Sequence, residues 1–352
     1  MKDLSQIEKK YYSLSSRLGI IRREIKSKKP IDHSNCLKMW MRGFSSDKYN
    51  LYNLEENDYK DYFPDCGITM TRFINYPYDI VLDNKIMFEE MFSQHIRVPK
   101  NYALIEKGVI KPLQSKIKID TIGSILKVCK EEGGLVVKPV IGSKGRGVTI
   151  YKIKNDTIYM NNRKISKIEF EESLKSFDDY IVTEFVKQGE YPKRLYPGST
   201  NTIRILILVD PETKEPFVAA ATQRVGTKKT GGLDNFSAGG CNAGVDIDTG
   251  VLTSVASWSK SNALSWGEKH PESNVQITGV KIPHWDDIKN KLIDTMKKMP
   301  YFKQIGWDVL LTDDDIVVIE ANSMPGSRVI QVHRPLLTNP KVRKYYEYYD
   351  II

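Results

Sequence analysis

The apolar positions of this chain recur in two rhythms. Near the N-terminus Leu4, Ile7, Tyr11, Leu14, Leu18, Ile21 and Ile25 return every three or four residues, which predicts an amphipathic helix over residues 3–28, ended by Pro30 and Asp32. Helical spacing returns over Asp120–Glu131, where Ile122, Ile125, Leu126 and Cys129 share a face and Gly133-Gly134 stop the helix. Glu169–Ser176 and Trp285–Met299 read the same way, and Asp83 is placed to cap a helix over NKIMFEEMF. The other apolar runs are strand-length. LVVKPV leads through the glycine-rich IGSKGRG to VTIYKI, and YIVTEFV (residues 180–186) reads as a buried strand. NTIRILILV (201–209) and FVAAATQR (217–224) form a long antiparallel pair, followed by a glycine-rich segment over residues 226–244. Residues 31–80, rich in Tyr, Asn and Asp, read as a helical lobe. Mixed elements with long antiparallel pairs predict an α+β protein rather than a doubly wound parallel sheet.

The run GWDVLLTDDDIVVIEANSMPG, residues 306–326, organises the rest. It reads as two apolar strands joined by an acidic turn. Side chains alternate along a strand, so Glu320 and Asn322 point to one side. An odd-length turn over Asp313–Asp315 sets Asp308 across from Glu320. Two carboxylates and an amide oxygen are hard ligands suited to Mg²⁺, which fills its shell with water and phosphate oxygens. A solvated hairpin with acidic residues on its wet face fits the same pattern.

Composition narrows the setting. The chain has 352 residues, enough for two or three lobes, and a net charge of +9 with a basic cluster at Arg22, Arg23, Lys26, Lys28 and Lys29. That balance favours anionic partners, or is simply a solvated helix face. No apolar run approaches the ~20 residues of a membrane span. The first residues, MKDLSQIEKKYYSL, lack a signal-peptide pattern, and the four cysteines match no zinc or redox spacing, so a reduced cytoplasmic setting is expected. A nucleic-acid platform of interleaved basic and aromatic residues is missing, and no nucleic acid partner is expected.

Three further features carry chemistry. Gly142-Ser143-Lys144-Gly145-Arg146-Gly147 holds three glycines that let backbone N–H groups approach a phosphate, with two cations beside them. A strand follows it, so it is neither a Walker loop nor a dinucleotide fingerprint; it is a lid between antiparallel strands or a plain hairpin turn. Lys138 sits in an apolar strand four residues earlier, and Lys85 in the first turn of a helix, where a cation opposes the helix dipole unless an anion is near. Arg204 and Arg224 stand in apolar strands, where their planar forks suit a phosphate, a carboxylate or a core ion pair.

The order of these parts resembles the ATP-grasp superfamily: a lysine at a helix start, VVKP, a glycine-rich loop, a strand ending TEFV, a strand with TIR, then Asp308 and E-A-N at Glu320–Asn322. The resemblance runs from about Leu82 to about Arg334. The run FVKQGEYPKRLYPGSTNTIRI, with DNFSAGG and IPHW, looks most like the sugar-transfer-associated ATP-grasp proteins; Arg204, Arg224, Asn235 and Gly239-Gly240 look like the glutamate-ligase branch. Gly306 stands where D-alanine–D-alanine ligases carry an arginine, which disfavours that reading.

The resemblance implies two α+β lobes gripping ATP between antiparallel sheets: a mixed N-terminal lobe (1–81), a small lobe (82–186), a large lobe (187–335) and a C-terminal tail (336–352). It implies that Lys85 and Lys138 contact ATP phosphates and that residues 142–147 close over them. By the same resemblance Glu184, Phe185 and Val186 would form the adenine hinge, and Glu190 would contact the ribose. Asp308, Glu320 and Asn322 hold two Mg²⁺ ions, while Asn201, Arg204, Arg224 and Arg328 line the acceptor side. The implied reaction is ADP-forming amide synthesis through an acyl phosphate. It joins a carboxylate of a sugar or surface polysaccharide to an amine or amino acid, in the cytoplasm or beside membrane glycosyltransferase machinery at the inner face. A phosphotransferase or a nucleotide-binding scaffold on the same fold is the alternative.

Overall fold

The computed structural model describes residues 6–27, 35–113, 118–142, 145–258 and 263–352. Two seven-stranded sheets dominate it. In the smaller the spatial order is Val109–Pro112, Asn101–Glu106, Tyr180–Glu184, Leu135–Pro139, Thr149–Lys154, Thr157–Met160 and Arg163–Ile165. Every neighbouring pair is antiparallel. The helices Ile122–Glu131 and Lys167–Lys175 cover one face over Tyr102, Ile105, Val137, Tyr151 and Phe170. The first starts at Thr121, whose hydroxyl accepts from the Ser124 N–H in a capping box, and Gly133 follows its end at φ +77°.

The larger sheet runs Leu264–Gly267, Leu252–Trp258, Cys241–Val245, Pro216–Val225, Ile203–Val209, Gln304–Leu311 and Ile316–Asn322, again antiparallel throughout. Ile203–Val209 and Gln304–Leu311 are buried at every position because both faces are covered. Ile203, Ile205 and Ile207 face the helix Trp285–Lys298 and the helix Lys85–Phe92. Leu206 and Leu208 face the opposite way, into Phe63, Ile74, Val342 and Tyr345.

That second core corrects the expected C-terminal tail. Residues 340–348 form a helix whose Val342, Tyr345 and Tyr346 are buried, and the Tyr345 hydroxyl donates to the Lys303 carbonyl at 2.9 Å. The helix Lys85–Phe92 also departs from the expected small lobe. Its Phe88 and Phe92 belong to the large-sheet core, with Phe92 against Phe302 and Trp307. Its cap is Asn84, which accepts from the Ile86 and Met87 N–H groups; Asp83 instead accepts from the Ser323 backbone and hydroxyl.

The N-terminal lobe is helical, with Gln6–Lys26 followed by Cys36–Met41, Lys48–Leu51, Asp65–Met70, Arg72–Asn75 and Asp79–Asp83. Its first helix packs by the unexpected side. Ser16 and Ile20 are buried, while Tyr11, Leu14, Leu18 and Ile25 of the apolar stripe are exposed. Leu4 and the side chain of Ile7 lie outside the described residues, as do Lys28 and Lys29.

Candidate active site

The site begins with one row of register partners. Arg204, Asp308 and Glu320 are Cα partners across three adjacent strands, so their side chains leave the large sheet on the same face. Asp308 faces Glu320 as expected, but the turn is not odd. Leu311 pairs with Ile316 around a four-residue turn, and a bulge at Ile319 shifts the register by one to bring Glu320 opposite Asp308.

Within the row the charges are paired. Arg204 holds Asp308 in a two-pronged grip, Nε to Oδ1 and Nη2 to Oδ2 at 3.0 Å. Arg224 adds Nη1 to Asp308 Oδ2 at 3.3 Å and Nη2 to Asp234 Oδ1 at 2.7 Å. Asp234 also accepts from the Thr202 N–H and hydroxyl, which ties its loop to the strand bearing Arg204. Burial alone raises the Asp308 carboxyl pKa, but Arg204 and Arg224 outweigh it and hold it below the usual carboxylate range. The core-carboxylate role is therefore what these two arginines perform toward Asp308 and Asp234. Arg204 keeps Nη1 without a hydrogen-bond partner among the described residues.

Glu320 is different. Burial raises its pKa, Lys85 opposes that rise, and the nearby Asp308 adds to it. Its nearest cation is Lys85, with Nζ 3.8 Å from Oε1. Lys85 also donates to the Gly142 carbonyl at 3.2 Å, and its backbone N–H to the Val140 carbonyl at 3.1 Å. The start of this helix is thus laced to the segment leading into the glycine-rich loop, with an Asn84–Ile141 bridge beside it. The dipole objection to Lys85 is answered by Glu320. Lys138, buried in its strand, makes no hydrogen bond or ion pair with the described residues; burial, helped by the charge of Lys85, brings its ammonium down to about 8.

These groups line one cleft of ≈ 840 Å³ between the two sheets, roofed at one end by the N-terminal lobe. Lys85, Lys138, Gly142, Gly145, Arg146, Glu184, Phe185, Val186, Arg204, Arg224, Asp308, Glu320, Asn322 and Arg328 all border it. Ser143 and Lys144 lie outside the described residues. Gly145 and Gly147 sit at φ +68° and +72°, and a Cβ on Gly147 would lie 2.5 Å from the Tyr180 hydroxyl, so both turns require glycine. Gly147 is not among the lining residues. Glu184 binds Arg97 and accepts from the Lys100 N–H at 3.2 Å, while Lys152 stands over the Phe185 ring at 4.5 Å.

Two expected contacts are elsewhere. Glu190 is exposed at the start of the helix Glu190–Leu195, its N–H donating to Asp313, and does not border the cleft. Asn201 is buried beside the cleft as a loop staple. Its Nδ2 donates to the carbonyls of Pro192 and Tyr196, and its Oδ1 accepts from Ser199 Oγ and the Gly226 N–H. The side-chain amide of Asn201 is thus fully engaged within the protein. At the far end Arg328 is fixed by Asp47 and stacks 5.4 Å from the Trp258 ring.

The donor set fits a hard cation. Asn322 Nδ2 donates to the Gly306 carbonyl at 3.2 Å, which leaves its Oδ1 as a ligand atom. Asp308 has three of its roughly four lone-pair sites taken by arginine N–H groups and keeps one. Among the described residues no three His, Cys, Asp or Glu side chains form a metal cage. Two carboxylates and an amide suit Mg²⁺ completed by phosphate oxygens, not an all-protein site.

The family model for sugar-transfer associated ATP-grasp proteins matches residues 69–342. The chain belongs to that family. Its two antiparallel sheets with the lysine, loop and carboxylate rows between them are the ATP-grasp fold. No curated protein matches by sequence. Among solved structures, the ATP-grasp ligase PsnB complexed with a minimal precursor is similar at 12% identity, covering 73% of this chain and 57% of that one, TM-score 0.39. D-Alanine–D-alanine ligase from Bacillus anthracis is similar at 15% identity, 77% and 66% coverage, TM-score 0.40. The ADP complex of N5-carboxyaminoimidazole ribonucleotide synthetase is similar at 9% identity, 70% and 46% coverage, TM-score 0.40. The chain therefore spans less than two thirds of the length of these proteins.

Asp234, Asp47 and Arg97 were not anticipated. Asp234 opens the quoted DNFSAGG, so an acidic residue following an arginine strand was the available signal. Asp47 lies 281 positions from Arg328 and nothing local marks it. His333 is structural, its Nε2 on Asn242 Oδ1 at 2.8 Å and burial holding its pKa down to about 4.

Proposed function

We propose that this ATP-grasp protein is an ATP-dependent carboxylate–amine ligase. One observation carries the reading. Lys85 and Lys138, from separate elements, meet Asp308, Glu320 and Asn322 in a single cleft beneath the glycine-rich loop. Two buried ammonium groups suit the phosphates of ATP, with the loop backbone closing over them. Glu184 to Val186, at the strand end bordering the cleft, present backbone groups to the adenine.

In the proposed reaction the acceptor carboxylate oxygen attacks the γ-phosphorus, the bond to ADP breaks, and an acyl phosphate forms. The amine then attacks the acyl carbon, phosphate departs, and the amine loses its proton to give an amide. Asp308, Glu320 and Asn322 would hold Mg²⁺, one or two ions, which neutralises phosphate charge. Arg204 Nη1 supports a role facing the acyl phosphate while its other nitrogens hold Asp308 rigid. The demand on the protein is mostly positioning and charge, as in phosphoryl transfer generally.

The family's description as sugar-transfer associated supports a sugar or surface-polysaccharide carboxylate as acceptor, and an amino acid or amine as the second substrate. Arg23, Arg72 and Arg328 border the far end of the cleft, which suits an anionic acceptor. The four cysteines are free thiols, which supports work in the cytoplasm. The test is product analysis with ATP, Mg²⁺, uronic acids and amino acids. ADP with an amide-mass product supports the ligase; ADP with only a phosphorylated product assigns a phosphotransferase.

A further inference from the structure

The first helix has two working sides. Tyr11, Leu14, Leu18 and Ile25 are 66%, 59%, 56% and 64% exposed. At 3.6 residues per turn the four fall within about 60° of one another, forming one continuous apolar stripe. Lys10 and Arg17 lie along one margin of it, Arg22 and Lys26 along the other. The neighbouring helix Cys36–Met41 is joined to it by Arg17 donating to the Met41 carbonyl and by Trp40 with Glu24. Its Leu37 and Met41 are exposed as well, 66% and 73%. An exposed apolar patch of this extent marks an interaction surface.

We propose that this stripe docks in the headgroup region of an anionic lipid bilayer. The helix has the form of an interfacial helix, with Leu, Ile and Tyr on the stripe and Lys and Arg on both margins reaching anionic headgroups. A second copy of the chain is a poor occupant, because apposing two stripes in a two-fold interface brings the basic margins together. Among the described residues no helix is long and apolar enough to cross a membrane, so the helix lies on the surface.

The opposite side of the same helix borders the active-site cleft through Ile20, Arg23 and Glu24. A docked helix therefore brings the far end of the cleft to the lipid surface, within reach of a lipid-linked acceptor. That consequence rests on the ligase reading; the docking does not.

The test is co-sedimentation of the full chain with vesicles of phosphatidylcholine and phosphatidylglycerol against phosphatidylcholine alone, with MgADP affinity measured in parallel. The expected result is binding to the anionic vesicles only, weakened by salt. Leu14→Glu with Leu18→Glu should lower it at least about tenfold, as should Arg22→Glu with Lys26→Glu, with MgADP affinity unchanged in both. The second pair keeps the test informative if the first fails to fold. Equal binding to both vesicle types, no binding, or wild-type binding by the folded variants overturns the proposal. A wild-type dimer that becomes a monomer in Leu14→Glu/Leu18→Glu overturns it in favour of a second copy. Loss of MgADP affinity in the wild type would overturn the functional reading and leave the vesicle result standing.

Discussion

Arg204 grips Asp308 from the adjacent strand, in the same register row that sets Asp308 opposite Glu320. Both members of the pair are almost fully buried. Replacing Arg204 with Met leaves a buried carboxylate with Arg224 alone, and breaking a buried pair costs about 3–5 kcal/mol. Urea unfolding of the nucleotide-free protein checks this. A loss below about 1 kcal/mol, the scale of a surface ion pair, would contradict it.

The proposed contact of Lys138 with the nucleotide phosphates predicts pH-dependent binding. With its ammonium held down to about 8, it is charged below that pH and neutral above it. ADP affinity therefore falls as pH rises through about 8, and binding above that pH takes up a proton. Calorimetry in buffers of different ionisation enthalpy measures the uptake; Lys138→Met should bind more weakly and lose the pH dependence. The folded value lies below the unstrained 10.5, so the charged form opposes folding. Its contribution to nucleotide-free stability accordingly rises between about pH 8 and 10.5.

The Asn201 side chain staples the segments around Tyr196, Ser199 and Gly226. Asn201→Ala leaves the Tyr196 carbonyl without its partner, at about 1–3 kcal/mol before relaxation, while the Pro192 carbonyl keeps the Tyr196 N–H and the Gly226 N–H keeps Ser199 Oγ. Thermal unfolding should show a loss of that size. A variant of normal stability with weakened ADP binding would show that Asn201 is a binding residue instead.

Tyr345 and Val342 make the C-terminal helix part of the large-sheet core. Tyr345→Ala removes a fully buried ring and the bond to the Lys303 carbonyl, and should destabilise by about 3–5 kcal/mol. Solubility and unfolding midpoint check it.

These cases show what the chain made legible and why. Arg204, Asp308 and Glu320 sit in long, strongly apolar strands, where a charged residue stands out and the period of two fixes its face. The bulge at Ile319 was invisible, since nothing in DIVVIEAN marks an extra residue; the pairing came out right through two compensating features. Cys241–Val245 hid inside a glycine-rich run, Leu252–Trp258 carries Thr253, Ser254 and Ser257 among its apolar residues, and Leu264–Gly267 is short. The first helix kept its periodicity but faces outward, because periodicity reports a stripe and not which surface covers it. The roles of Asn201 and Arg328 depend on partners brought together only by the fold, Gly226 and Asp47 among them.

The Asp308, Glu320 and Asn322 row is proposed to serve amide formation driven by ATP. The direct test is mass analysis of products from ATP, Mg²⁺, uronic acids and amino acids, run beside Glu320→Gln, which keeps the shape of the side chain and removes its charge. ADP, phosphate and a new amide mass are expected in the wild type, and none of these in the variant. ADP with only a phosphorylated sugar, or an undiminished amide product from Glu320→Gln, would contradict it.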